Sequence, residues 1–315
     1  MNSYDIPILF IVFRRLDTTK RVFEVIRRQR PKILFVAADG PHRDNPQELK
    51  ECVAVRDYIM ENVDWHCELH TLFREENWGV KRSPPDAISW FFSVNERGII
   101  LEDDCLPNDS FFIFMKEMLE RYSDKKNVMS ISGYAPGGLP LENIKSSYYF
   151  SYLPHIWGWG TWSRAWAYYD GAMNSYLEFK NGKKIKDIFP DDYSRSIWTI
   201  MLDAASQPSF NGWDFQWVFT LFNNNGLSIN PSVNMVENIG FDSRASHPFS
   251  REMFMDADLQ NMNFPLVHPN RIISNVEIDF YENHHLPYFR KSKFFLYKLG
   301  LYPIAEKIFR KLRHL

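Results

Sequence analysis

The chain of 315 residues has little cysteine: Cys52, Cys67 and Cys105 stand apart, with no C-x-x-C spacing among them. An odd, scattered set excludes a disulfide framework and a cysteine zinc site, and it predicts reduced thiols in a cytosolic protein, Cys52 lying on the apolar face of a helix. Glycine is sparse too, at 14 residues, and neither G-x-G-x-x-G nor G-x-x-x-x-G-K occurs. That excludes a dinucleotide fingerprint and a P-loop. No apolar run reaches the roughly 20 residues of a membrane span. The N-terminal run is short and has no basic flank, so it reads as a buried strand and not a signal. Net charge is also nearly absent, with Lys+Arg 37 against Asp+Glu 39, which excludes a general attraction for nucleic acid as a partner.

What the chain has in excess is aromatic residues, 16% of the total with 10 Trp. Hydrophobic and charged contents of 45% and 24% exclude disorder, collagen and coiled coil. Ile6 to Phe13 is almost unbroken apolar sequence, and Asp17-Thr18-Thr19 can cap a helix with Val22, Val25 and Ile26 on one face. Lys32–Ala38 repeats the strand signal before Asp39-Gly40, and Gln47–Val63 repeats the helix. A weaker strand at Leu69–Phe73, a helix starting at Ser83-Pro84-Pro85 and the strand Ile99-Ile100-Leu101 follow. Strands without alternation, joined by helices, predict an α/β fold: a mainly parallel sheet with helices on both faces. Ser146–Tyr152 and Lys180–Lys186 read as loops or lids.

Ligands of such sheets bind beyond the carboxyl ends of the strands. Those ends are Arg14-Arg15, Asp39-Gly40, Glu75-Glu76-Asn77 and Glu102-Asp103-Asp104. Three carboxyls crowding one buried strand end repel, and a hard divalent cation with oxygen ligands relieves them. Helix capping by Asn108 or Asp109 accounts for the next helix and leaves the triplet unexplained.

The stretch GIILEDDCLPNDSFF resembles the acidic metal motif of the nucleotide-sugar glycosyltransferases of the GT-A fold, in the form found in N-acetylglucosaminyltransferase I and in bacterial surface-polysaccharide transferases. Four further stretches agree in order: FIVFRRLDTTKRVFEVI with the opening strand-turn-helix, although the common Asn-Arg-Pro turn is Arg14-Arg15-Leu16 here; FVAADGPHR with the second strand end; HIWGWGTWSRAW with the aromatic segment lining the sugar and acceptor site; and GWDFQW with the stretch carrying the catalytic base. Together they span roughly residues 5–245.

The resemblance implies that Asp104 ligates Mn²⁺ or Mg²⁺, that Asp103 and Glu102 bond the ribose and donor sugar, and that Asp39 meets the uracil of a UDP-sugar donor. Arg14 or Arg15, and Lys81 or Arg82, would add positive charge near the phosphates. Asp214 would be the base that deprotonates the acceptor, with inversion at the anomeric carbon; apolar rings on both sides strengthen a carboxylate as a base, and a helix cap is its other reading. Flat aromatic faces stack on sugar C–H surfaces, so Trp157 and Trp159 are expected to line the pocket while Trp162 and Trp166 pack. His247 is a candidate second metal ligand, and His155 a candidate donor or acceptor contact.

Residues 1–285 are thus expected to form the GT-A domain, with a nucleotide-binding half at 1–105 and an acceptor half at 106–285. Residues 286–315 would be a C-terminal amphipathic helical extension. From Arg290 to Leu315 eight Lys and Arg face one acid, Glu306, among interleaved Phe, Tyr, Leu and Ile, the pattern either of a helix on an anionic membrane surface or of a terminal helix packed on the body. The expected reaction is metal-dependent sugar transfer to a glycan or lipid-linked glycan acceptor at the inner face of the cell membrane. A sugar nucleotidyltransferase would share the sheet and the cation site but calls for a Gly-rich loop after the first strand, which Phe13-Arg14-Arg15-Leu16 lacks. A non-catalytic glycan-binding protein would use the tryptophans without a metal.

Overall fold

A strand buried on both faces must send alternate side chains into two different cores, and β1 (Ile8–Val12) does so. Ile8, Phe10 and Val12 pack in one hydrophobic cluster, whereas Leu9 packs in another. In β2 (Ile33–Ala38) Leu34, Val36 and Ala38 join the first cluster and Phe35 and Ala37 the second. This computed structural model describes residues 3–240 and 257–285. The 286–315 extension and His247 lie outside the described residues.

The elements run β1, α1 (Leu16–Gln29), β2, α2 (Pro46–Asn62), β3 (Glu68–Phe73), α3 (Ser83–Phe92), β4 (Arg97–Glu102), β5 (Cys105–Pro107), α4 (Asp109–Arg121), β6 (Val128–Ser132), β7 (Tyr148–Ser151), β8 (Trp159–Trp162), α5 (Ser163–Trp166), α6 (Tyr176–Asn181), α7 (Lys184–Ile188), α8 (Asp192–Ala205), α9 (Asp214–Asn223), β9 (Leu227–Pro231), β10 (Val236–Asn238) and α10 (Val276–His284). The eight-stranded sheet has the order β3-β2-β1-β4-β8-β6-β9-β7, and β5 pairs with β10 in a small second sheet. The pairs β1–β2, β2–β3, β1–β4 and β6–β9 are parallel. β8 runs antiparallel to both β4 and β6, and β7 antiparallel to β9. The expected mainly parallel α/β sheet with helices on both faces is therefore present.

Two local expectations are corrected. Ser146–Tyr152 is no loop: its Tyr148–Ser151 form the edge strand β7, entirely buried, because Tyr148 and Phe150 fill the core beneath Phe114 and Tyr122. Lys180–Lys186 belongs largely to α6 and α7, whose Phe179, Ile185 and Ile188 anchor a third cluster. The three cysteines are free and Cys52 is buried, as expected. Among the described residues no helix is long and apolar enough to cross a membrane.

The strand order places the switch point between β1 and β4: from β1 the chain moves outward to β2 and β3, and from β4 it moves the other way. A crevice opens beyond the carboxyl ends of strands at such a point. Arg14-Arg15 and Glu102-Asp103-Asp104 occupy those two ends.

Candidate active site

The two strand ends are laced together. The Phe13 amide donates to Asp103 Oδ2 at 3.2 Å, and Arg15 Nη2 donates to Asp103 Oδ1 at 2.8 Å and Asp104 Oδ2 at 2.7 Å. Arg15 is the residue before the first turn of α1, and the hydroxyls of Thr18 and Thr19 donate to its carbonyl at 3.2 and 2.7 Å. The expected cap is a correction: Arg15 stands at the N-cap position of α1 with no side-chain cap bond, and Thr18 and Thr19 lie inside the first turn, donating back to the Arg15 carbonyl instead of accepting from the amides of the helix start. Arg15, and not Arg14, is the cation at the carboxylates. Arg14 turns instead to Glu48 of α2, at 3.0 Å.

Glu102 closes β4, and Asp103-Asp104 make the turn into β5. β5 pairs with β10, and the Ile239 amide donates to the Asp104 carbonyl at 2.8 Å. Gly240 then lies against the turn so closely that a Cβ there would fall 2.2 Å from Asp104 Oδ2 and 2.7 Å from Arg15 Nη1. A Cβ there would push aside the Asp104 carboxylate and the Arg15 guanidinium.

Electrostatics follow from the crowding. Burial, reinforced by the charges of Asp104, Asp103 and Asp214, pushes the pKa of Glu102 up to about 8. Burial raises Asp103 to about 6, with Arg15 opposing and Asp104 adding to the rise. For Arg15, burial works against the charge, yet Asp103 and Asp104 outweigh it and hold the guanidinium above its ordinary value. Glu102 therefore feels Asp214 as well as its own neighbours, which puts the α9 carboxylate within electrostatic reach of the triplet.

Asp214 is the first residue of α9, preceded by Trp213. Its Oδ1 lies 3.1 Å from where a Cβ on Gly212 would be, so the glycine of GWDFQW leaves room for the carboxylate. Burial first, then Asp214 and Asp170, raise the pKa of Tyr169, whose hydroxyl donates to the Trp213 carbonyl at 3.2 Å.

Asp39, at the end of β2, accepts from the amides of Gly40, Trp78 and Gly79, at 3.0, 2.9 and 2.9 Å. It holds the loop between β3 and α3. A Cβ on Gly40 would meet the Glu76 backbone at 2.4 Å, so this junction also depends on glycine. Arg82 stacks on Trp78 at 3.6 Å and Arg74 at 4.1 Å, while Lys81 donates to the Pro208 carbonyl at 3.1 Å.

The tryptophans divide differently from the expectation. Trp157 is half-buried and meets Tyr134 with ring centroids 4.5 Å apart. Trp159 is a correction: it is fully buried, packed on Trp213 and Trp217 at 6.0 and 5.6 Å. The cause is strand alternation, which turns residue 159 of β8 into the second core. Trp162 and Trp166 pack, as expected. Tyr134, just past β6, is itself buried and packs edge-on against Trp157. His155 contacts Tyr134 at 5.6 Å and pairs with Glu282 of α10 at 3.5 Å.

Among the described residues no group of three or more His, Cys, Asp or Glu is arranged to hold a metal ion. The carboxylate oxygens of the triplet are nonetheless the hard donors that Mg²⁺ and Mn²⁺ take, ions that fill much of an octahedral shell with water and phosphate oxygens.

A scan of protein-family models and a search of curated proteins find no match to this sequence. Among solved structures, HddC from Yersinia pseudotuberculosis is similar at 8% identity with a TM-score of 0.34, over 55% of this chain and 84% of that one. A UDP-glucose pyrophosphorylase complexed with UDP-glucose is similar at 16% identity and a TM-score of 0.25, over 47% of this chain and 62% of that one. An apo UDP-glucose pyrophosphorylase structure gives 11% and 0.29, over 71% of this chain and 90% of that one. Each is a loose superposition.

Proposed function

We propose that this chain is a nucleotide-sugar transferase that moves a sugar from a UDP-sugar to a hydroxyl of a glycan or lipid-linked glycan. The observation that carries the reading is the triplet Glu102-Asp103-Asp104 at the switch point of the sheet, tied to the end of β1 through Arg15. Mn²⁺ or Mg²⁺ held by Asp104 would supply positive charge where the leaving diphosphate builds negative charge. Asp103 and Glu102 would accept hydrogen bonds from donor hydroxyls. Asp214 takes the proton of the acceptor hydroxyl as its oxygen bonds to the anomeric carbon and the bond from that carbon to the phosphate oxygen breaks. Trp157, half-buried and held by the buried Tyr134, offers an aromatic face for the sugar. Residues 286–315, rich in Lys and Arg among aromatic and aliphatic residues, would bring the enzyme to an anionic membrane surface where a lipid-linked acceptor lies.

A second reading, sugar nucleotidyl transfer, is favoured by the name of the UDP-glucose pyrophosphorylases above. Against it stands the β1–α1 junction, which has no glycine and whose Arg15 is engaged with carboxylates. One experiment separates them. With Mn²⁺ present, UDP-sugars plus a glycan acceptor are assayed for release of free UDP, and UTP plus sugar 1-phosphates for release of pyrophosphate. UDP release that is lost in Asp104→Asn supports glycosyl transfer; pyrophosphate release with no UDP release overturns it in favour of the second reading.

A further inference from the structure

Both oxygens of the Asp104 carboxylate are already engaged. Oδ2 accepts from Arg15 Nη2 at 2.7 Å, and the Cys105 thiol donates to Oδ1 at 3.6 Å. The same Nη2 reaches Asp103 Oδ1, so one nitrogen bridges the two carboxylates. Nη1 of the same guanidinium donates to the Gly240 carbonyl at 3.3 Å, and Gly240 packs close against Asp104 Oδ2. The side chains of Arg15, Asp103 and Asp104 are 16%, 7% and 17% exposed, so solvent screens them little.

A divalent cation approaching Oδ2 therefore meets a guanidinium already seated there. A second positive charge at that oxygen is repelled by the guanidinium, and the repulsion is strong in such a poorly screened site. Arg15 has to yield, and an arginine leaving a carboxylate needs another planar, bidentate anion; a diphosphate provides it. We propose that Arg15 is the resident counter-cation of the triplet and competes with the metal for Asp104, so that metal is taken up together with a nucleoside diphosphate that receives the displaced guanidinium. The inference rests on the metal and donor assignment above. It makes metal and nucleotide binding mutually reinforcing, since a coupling between two ligands acts equally in both directions.

The test is a Mn²⁺ titration of the full chain, following the electron paramagnetic resonance signal of the free aqueous ion, with and without UDP, GDP or dTDP and with protein-free controls. Wild type should bind Mn²⁺ weakly alone and about tenfold or more tightly with the fitting nucleotide, within the usual range of such couplings. Arg15→Met should tighten nucleotide-free Mn²⁺ binding and lose most of the gain from nucleotide. Arg15→Lys, which keeps a cation without the planar fork, should fall between. Asp104→Asn should bind no Mn²⁺ in either condition. Equal Mn²⁺ affinity with and without nucleotide in wild type overturns the inference, whether or not the methionine variant folds, and leaves the transferase reading intact if UDP is still released in the assay above. No Mn²⁺ binding under any condition overturns both the inference and the metal assignment.

Discussion

Asp279 offers a quantitative test of the buried polar structure beside the sheet edge. It lies on α10 and is buried; the Ser151 hydroxyl donates to its Oδ1 and the Tyr152 amide to its Oδ2. Burial dominates over these two bonds, Glu282 adds repulsion, and the pKa rises from 3.8 to about 7. The protonated form is thereby favoured in the folded chain by ~4 kcal/mol, at about 1.4 kcal/mol per pH unit. Between pH ~4 and ~7 the folded state holds a proton that the unfolded state has released, so stability from this group is complete below pH ~4 and falls as pH rises toward ~7. Asp279→Asn keeps an oxygen for Tyr152 and an amide for Ser151 but does not titrate. Urea unfolding of both proteins at pH 5, 6, 7 and 8 should show the variant gaining on wild type as pH rises, by ~3 kcal/mol over this range because part of the effect is already spent below pH 5, while acid effects of all other groups cancel in the difference. A difference that does not change with pH would refute the assignment of a raised pKa to this carboxyl.

Three further outcomes are expected. At about 100 times its dissociation constant a ligand adds ~2.7 kcal/mol; with ~2.1 cal/mol/K of unfolding entropy per residue over 315 residues, the right nucleotide with Mn²⁺ should raise the melting temperature by ~4 °C, and Asp104→Asn should abolish the shift in a thermal-shift assay. Asp214→Asn should lower kcat by ~10²- to 10⁴-fold, the range of a lost general base, while the nucleotide-dependent thermal shift persists. Trp159→Ala should destabilise by ~3–5 kcal/mol through the cavity it leaves among Trp166, Trp213 and Trp217, whereas Trp157→Ala should change stability much less and raise KM for the sugar donor; equal loss of stability in both would contradict the division between core and cleft.

The parallel half of the fold was legible because β1, β2 and β4 are continuous apolar runs and nothing but two-sided burial tolerates such strands. Edge and antiparallel strands were harder. β7 begins after Ser146-Ser147 and its apolar residues are all tyrosine and phenylalanine, a composition that also suits a loop packed on a core; its partner β9 lies about 80 residues further along the chain. Asp103 and Asp104 could be read from charge crowding, and the loop-binding role of Asp39 could not, since the amides of Trp78 and Gly79 reach it only through the parallel pairing of β2 and β3.

By itself the sequence determined the local periodicities, the crowding of three carboxylates after an apolar strand, and the absence of any glycine-rich phosphate loop, all of which depend on neighbours within a few residues. Only the tertiary structure decided which of two adjacent arginines meets the triplet and which of two tryptophans leaves the core. Both choices turn on which face a residue presents, and a face acquires meaning once strands far apart in the chain are paired: Arg15 and Asp104 are 89 positions apart, and the sheet order alone brings the ends of β1 and β4 side by side.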